Sequence, residues 1–192
     1  MNKVLDIIKQ SGGFITKQEI NDEALYAQIL REVEKGNVIR LKAGVYAIPE
    51  ELAKPMVDMN RLVPSGVLCL YSAWHFYRLT TQIPVEYYVA MEKSRKVVLP
   101  DYPPIKICFW SQKAYETGIV EKVIAGHLCK IYDMEKSICD AIRLRNKIGM
   151  DVCSEIVRNY MKHPDRDLNK LAEYAKVLRV GKTLHSIIQF VI

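Results

Sequence analysis

The stretch TKQEINDEALYAQILREVEKGNVIRLKAGVYAI, residues 16–48, decides how the first quarter of the chain folds. Thr16 and Glu19 stand three apart, the spacing of a capping box, and open a short helix. That helix breaks at Asn21-Asp22, two residues able to cap the next one. Over 23–35, Tyr26, Ile29, Leu30 and Val33 share one helical face, while Ala24, Ala27, Gln28, Arg31 and Lys35 share the opposite one. Gly36 supplies the stop. NVIRL and VYAI then predict two strands around Lys42-Ala43-Gly44, a hairpin with a basic tip.

Upstream, Val4, Leu5, Ile7 and Ile8 have helical spacing over 3–10, ended by Gly12-Gly13, and Phe14-Ile15 suffices for one bridging strand. Helix, strand, helix, tight turn, helix, hairpin is the order of a winged helix-turn-helix domain, and residues 1–50 match its size. Pro49, Pro55 and Pro64 punctuate the chain after the hairpin, so 51–64 is expected to be a linker.

Residues 65–192 read as a larger α+β domain, with strands early and helices late. GVLCLYSAWHFYRL (66–79) predicts an apolar helix; strands are expected at 87–91, 96–99 and 105–110, and a hairpin from 118–124 and 127–132 across Ala125-Gly126. From Asp133 onward come four helical stretches, at 134–149, 150–163, 167–180 and 182–192. The fold class expected for the chain is therefore α+β, with a winged helix at its N-terminal end.

About half of the 192 residues are apolar (49%), enough for a sizeable core. The longest apolar run, VLCLYSAW, is far below the ~20 residues a membrane helix needs. The N-terminal segment carries Asp6 within a helical pattern, unlike a signal peptide. Five cysteines (Cys69, Cys108, Cys129, Cys139, Cys153) are odd in number and never form CxxC, which predicts reduced thiols in a cytoplasm. The formal charge of +6 invites a nucleic-acid partner. It is unevenly spread: residues 1–60 hold 8 Lys/Arg against 9 Asp/Glu, a balance of −1, while 61–130 carry +4 and 131–192 carry +3. The hairpin's own segment lacks the surplus.

Nothing in the chain reads as a catalytic or metal centre. His75, His127, His163 and His185 form no HxxxH or HExxH pair, and no GxSxG, GxGxxG or phosphate loop occurs. Asp133 is best explained as a helix cap, Glu135 as its first-turn companion, and Asp140 as a helix-surface partner of Arg143. No catalytic residue, metal or cofactor is expected. The basic clusters are Lys93/Arg95/Lys96, a candidate phosphate contact, and Arg143/Arg145/Lys147, read as a solvated helix end.

Three blocks resemble the abortive-infection AbiEi antitoxins of bacterial type IV toxin–antitoxin systems. They are GGFITKQEI…LREVEKGNVIRLKAGVYAI, LYSAWHFYRLTTQIPVEYYVA, and MEKSICDAIRLRNKIGMDVCSEIVRNYMK…DLNKLAEYAKVLRV, and together they cover almost the whole chain. The resemblance implies a two-domain repressor. Its winged helix would bind repeats in its own promoter, and its C-terminal domain would counteract a nucleotidyltransferase-like toxin. The chain departs from that pattern in having an N-terminal domain that is not net basic.

On this reading the third helix enters the major groove. Gln28 would pair with adenine and Arg31 with guanine, while Lys35 meets phosphate. Thr16, Lys17 and Gln18 would meet backbone phosphates through amides and side chains, and Arg40 and Lys42 would set the wing against the backbone or minor groove. Lys93, Arg95 and Lys96 would add phosphate contacts from the second domain. The alternative is a protein-interaction module that binds the toxin or another partner directly, with DNA binding secondary.

Overall fold

A computed structural model describes residues 3–52 and 58–191. They form ten α-helices, one turn of 3-10 helix and two β-sheets, an α+β fold. The chain divides into two compact units: residues 1–65 with 96–104 and 123–129, and residues 66–95 with 105–122 and 130–192.

The first unit begins with α1 (Lys3–Gln10), β1 (Phe14–Thr16), a 3-10 turn (Lys17–Glu19) and α2 (Glu23–Glu34). A hairpin of β2 (Ile39–Lys42) and β3 (Val45–Ala47) is next, then α3 (Pro49–Leu52) and α4 (Met59–Leu62). The strands form an antiparallel sheet in the order β1-β3-β2. This is the winged-helix arrangement, with one refinement: the middle helix is a single 3-10 turn. The Glu19 carboxylate already accepts the Thr16 amide at 2.7 Å, and Asp22 accepts the Ala24 amide at 2.8 Å to start α2. Between two caps so close, no stable α-helical nucleus fits.

The core of this unit joins Val4 and Ile8 of α1, Ile15 of β1, Ile29 of α2 and Tyr46 of β3 with Val38 and Ile48. Leu5, Ile7, Tyr26, Leu30 and Val33 pack against it. Each buried aliphatic side chain contributes about 1.5–3 kcal/mol. Tyr46 is the bulky centre, and its hydroxyl meets that of Tyr26 at 3.1 Å. Burial, reinforced by that bond, pushes the Tyr46 phenol up to about 12. The hairpin turns through Ala43 and Gly44. Gly44 has φ +75°, the left-handed region, and its carbonyl accepts the Lys17 amide at 2.8 Å.

The expected linker 51–64 is largely structured where it is described. Met59, Leu62 and Val63 are buried, so α4 and the residue after it are held by apolar packing. Pro55 lies outside the described residues.

The second unit contains β4 (Val67–Leu68), α5 (Leu70–Phe76), β5 (Tyr87–Glu92), β6 (Ile105–Trp110) and α6 (Gln112–Glu116). Next come β7 (Ile119–Ile124) and β8 (His127–Tyr132), whose joining tip belongs to the first unit. Helices α7 (Met134–Ile148), α8 (Met150–Lys162), α9 (Leu168–Val177) and α10 (Gly181–Val191) complete it. The sheet order is β6-β5-β4-β8-β7, with β4 antiparallel to β5 and parallel to β8. Leucines, isoleucines and aromatics of α5, α7, α8, α9 and α10, Trp74 among them, form the core with the inner face of the sheet.

Two expectations are corrected. Residues 66–79 are not one helix: Val67 and Leu68 pair with Ala90 and Val89, and the chain turns at Leu70, φ +46°, the first residue of α5. Residues 96–99 are not a strand: Val98 is exposed, and its carbonyl accepts a lysine ammonium instead of a strand amide.

The carboxylates of α7 are also more deeply placed than periodicity implied. Asp133 caps α7 through the Lys136 amide at 2.9 Å, and its other oxygen meets Lys170 Nζ at 2.8 Å. Glu135 accepts the Tyr160 hydroxyl and the Asp167 amide, each at 3.1 Å, tying α7 to α8 and α9. Asp140 does pair with Arg143 at 3.1 Å, yet it is buried, not at the surface. Its second oxygen meets Lys136 Nζ at 2.6 Å, and both side chains are fully buried. That ammonium lies 3.9 Å from the Tyr132 ring centroid, an aromatic face that replaces part of its lost hydration.

Candidate nucleic-acid interface

Helix α2 presents its polar stripe outward. Ala24, Ala27, Gln28, Arg31 and Lys35 are all exposed, while Ile29 is buried and Leu30 and Val33 are half-buried against the core. Ala24, Ala27, Gln28 and Arg31 fall at i, i+3, i+4 and i+7, so they form one line along the helix. Two alanines in that line leave the helix backbone open to close approach by a groove. Lys35 Nζ pairs with Glu32 at 2.8 Å, which partly neutralises it.

The residues at the start of the 3-10 turn are less available than expected. The Thr16 amide and hydroxyl both donate to Glu19 Oε2, at 2.7 and 2.9 Å. The Lys17 amide donates to Gly44. Phosphate binding through these two amides is therefore corrected: both already have internal acceptors. The side chains of Lys17 and Gln18 are exposed, with Lys17 Nζ 5.1 Å from the Tyr26 ring centroid.

The wing divides its two cations. Arg40 is exposed on the edge strand β2, paired in register with Tyr46. The ladder shifts register between Arg40 and Lys42, and Lys42 is turned inward. Its ammonium donates to the Leu62 carbonyl at 2.7 Å and the Val98 carbonyl at 3.1 Å. Burial pushes its pKa down. Lys42 is thus a brace of the hairpin, and its expected role as the wing's phosphate contact is withdrawn.

Sequence reasoning missed Arg61 of α4. Its Nη1 donates to the carbonyls of Ser11 at 2.6 Å and Phe14 at 2.7 Å, and its Nη2 meets Glu19 Oε1 at 2.7 Å. Its Nε lies 3.5 Å from Asp58 Oδ2. Burial alone raises the Glu19 carboxyl, but the Thr16 bonds and the Arg61 charge outweigh this and hold it below its ordinary value. A lone arginine after a proline-rich stretch carries no sequence signal for such a role. Asn60, its neighbour, donates to the Leu128 carbonyl at 2.6 Å, and Glu51 of α3 lies 3.3 Å from His127 Nε2.

In the second unit Lys93 and Arg95 are exposed, with Arg95 Nε 3.8 Å from Glu92; Lys96 is exposed in the first unit. The charge divides sharply. The first unit holds 10 Lys/Arg and 10 Asp/Glu, a balance of zero, and the second holds 18 against 12, the whole surplus of +6. Among the described residues no group of three or more His, Cys, Asp or Glu gathers as a metal site would, and no helix is long and apolar enough to cross a membrane.

No family model matches the chain, and no curated protein matches it. Among solved structures, the crystal structure of the RV2827C protein from Mycobacterium tuberculosis is similar at 10% identity, over 97% of this chain and 79% of that chain, with a TM-score of 0.48.

Proposed function

We propose that the protein is a DNA-binding repressor that acts in the cytoplasm on its own promoter and serves as the antitoxin of a type IV toxin–antitoxin pair. The observation that carries the DNA-binding part is the exposed line Ala24–Ala27–Gln28–Arg31 on α2, within a winged-helix arrangement. Gln28 and Arg31 read base edges, while Lys35, Lys17, Gln18 and Arg40 meet phosphates. Lys93, Arg95 and Lys96 add backbone contacts, because the first unit has no charge surplus of its own. The antitoxin part rests on the resemblance of the three sequence blocks to AbiEi proteins, whose partner is a nucleotidyltransferase-like toxin.

Two experiments test this reading. A gel shift with the protein's own promoter is expected to show binding that a scrambled duplex does not compete away. Co-expression with a cognate nucleotidyltransferase-like toxin is expected to restore growth. Equal competition by the scrambled duplex would overturn the first part, and unrelieved toxicity the second.

The electrical neutrality of the first unit favours a second reading, in which the chain neutralises a toxin or other protein by direct binding and DNA binding is secondary. Co-purification of the full chain with the toxin, without promoter binding, is its distinguishing outcome.

A further inference from the structure

We infer that Arg61 is a positioning residue for DNA binding, acting by neutralising Glu19 at the start of the helix-turn-helix. The inference rests on the proposed DNA-binding role of α2 and the residues before it. Glu19 stands beside Lys17 and Gln18, whose exposed side chains are the ones proposed to meet phosphate, and its Oε2 accepts both the amide and the hydroxyl of Thr16. An uncompensated carboxylate there repels a DNA backbone. Its second oxygen, Oε1, meets Arg61 Nη2 at 2.7 Å.

Arg61 is well placed for this because it cannot drift. Its Nη1 is fixed by two backbone carbonyls, Ser11 and Phe14, on either side of the Gly12-Gly13 corner, and Asp58 holds Nε. Only 23% of the side chain is exposed, against 42% for Glu19. The guanidinium therefore faces inward and the carboxylate outward, and the pair presents a neutralised turn to solvent. A lysine could not hold both carbonyls and the carboxylate in one plane, which is the use of the guanidinium fork.

The test compares wild type, Arg61→Ala, Glu19→Gln and the double variant, each titrated with a promoter duplex by fluorescence anisotropy, with folding checked by circular dichroism. Arg61→Ala is expected to bind about fivefold more weakly or worse, because it leaves the partly solvated carboxylates of Glu19 and Asp58 without their guanidinium partner. The double variant is expected to regain the part of that loss due to Glu19, because glutamine still accepts the Thr16 amide but carries no charge, while Asp58 stays without its partner. Glu19→Gln alone is expected to bind as well as wild type or better. A double variant as weak as Arg61→Ala, or a Glu19→Gln variant weaker than wild type, would overturn the inference and leave Arg61 a purely structural brace. Should Arg61→Ala fail to fold, Arg61→Gln, which keeps a donor for the carbonyls but no charge, takes its place in the comparison with the same expected and overturning outcomes. Absence of wild-type binding would overturn the underlying DNA reading and this inference with it.

Discussion

Lys42 Nζ donates to the carbonyl oxygen of Leu62 at 2.7 Å, joining the wing to α4 of the same unit. A cation at a hairpin tip invites a phosphate, yet this one has carbonyl acceptors at Leu62 and Val98. The wing's outward charge is Arg40 alone.

Lys42→Ala is therefore expected to destabilise the protein by about 1.5–3 kcal/mol, the range for hydrogen bonds to a charged group. It should leave the salt dependence of DNA binding unchanged. Arg40→Ala should leave stability nearly intact and lower the salt slope by about one. Urea titrations and binding across a salt series separate the two.

Ala27 sits in the middle of the exposed line on α2. Ala27→Tyr is expected to change stability by no more than about 0.5 kcal/mol, as a surface substitution does. It should abolish promoter binding by blocking entry into the groove. Retained affinity would mean that another surface meets the DNA.

The pair Lys136–Asp140 lies fully buried at 2.6 Å in the second unit. Lys136→Met leaves Asp140 buried with only Arg143 as a partner, and is expected to cost about 3–5 kcal/mol. Replacing both, Lys136→Met with Asp140→Leu, should cost less than the single change. Thermal or urea unfolding of the two variants decides.

The latch on Glu19 has a pH signature. Its carboxyl is held below its ordinary value of 4.5, so the unfolded chain binds more protons than the folded one between the two values. The stability it contributes is full above pH 4.5 and is lost as pH falls through the lower folded value. Wild type should thus exceed Glu19→Gln in urea stability at pH 7, with the gap closing in acid.

The winged-helix order was legible because its signals are local. The Thr16–Glu19 spacing, Asp22 as a cap, Gly36 and the 3.6-residue periodicity of 23–35 each act within a few residues, and each recurs in the structure. Which face of α2 points outward was legible for the same reason. What was not legible depends on distant pairing. Val67 and Leu68 read as helix because an apolar pair looks alike in a helix and a buried strand; only Ala90, Val89 and Ile131 decide it. Segments 96–104 and 123–129 join the first unit without any compositional mark. Lys42 and Arg61 show the same limit within the candidate site, since a cation's partner cannot be read from its neighbours in sequence. The acceptors of Lys42 stand 20 and 56 residues away, and Arg61 reaches back 42 to Glu19.

DNA reading by α2 is tested most directly at Arg31, the one cation in its exposed line of four. The measurement is the ratio of affinities for the promoter duplex and a scrambled duplex, for wild type and Arg31→Ala at one salt concentration. Wild type is expected to prefer the promoter, and Arg31→Ala to lose about 1–3 kcal/mol on the promoter but less on the scrambled duplex, so that the ratio falls. An Arg31→Ala variant with the wild-type ratio would contradict base readout by this helix.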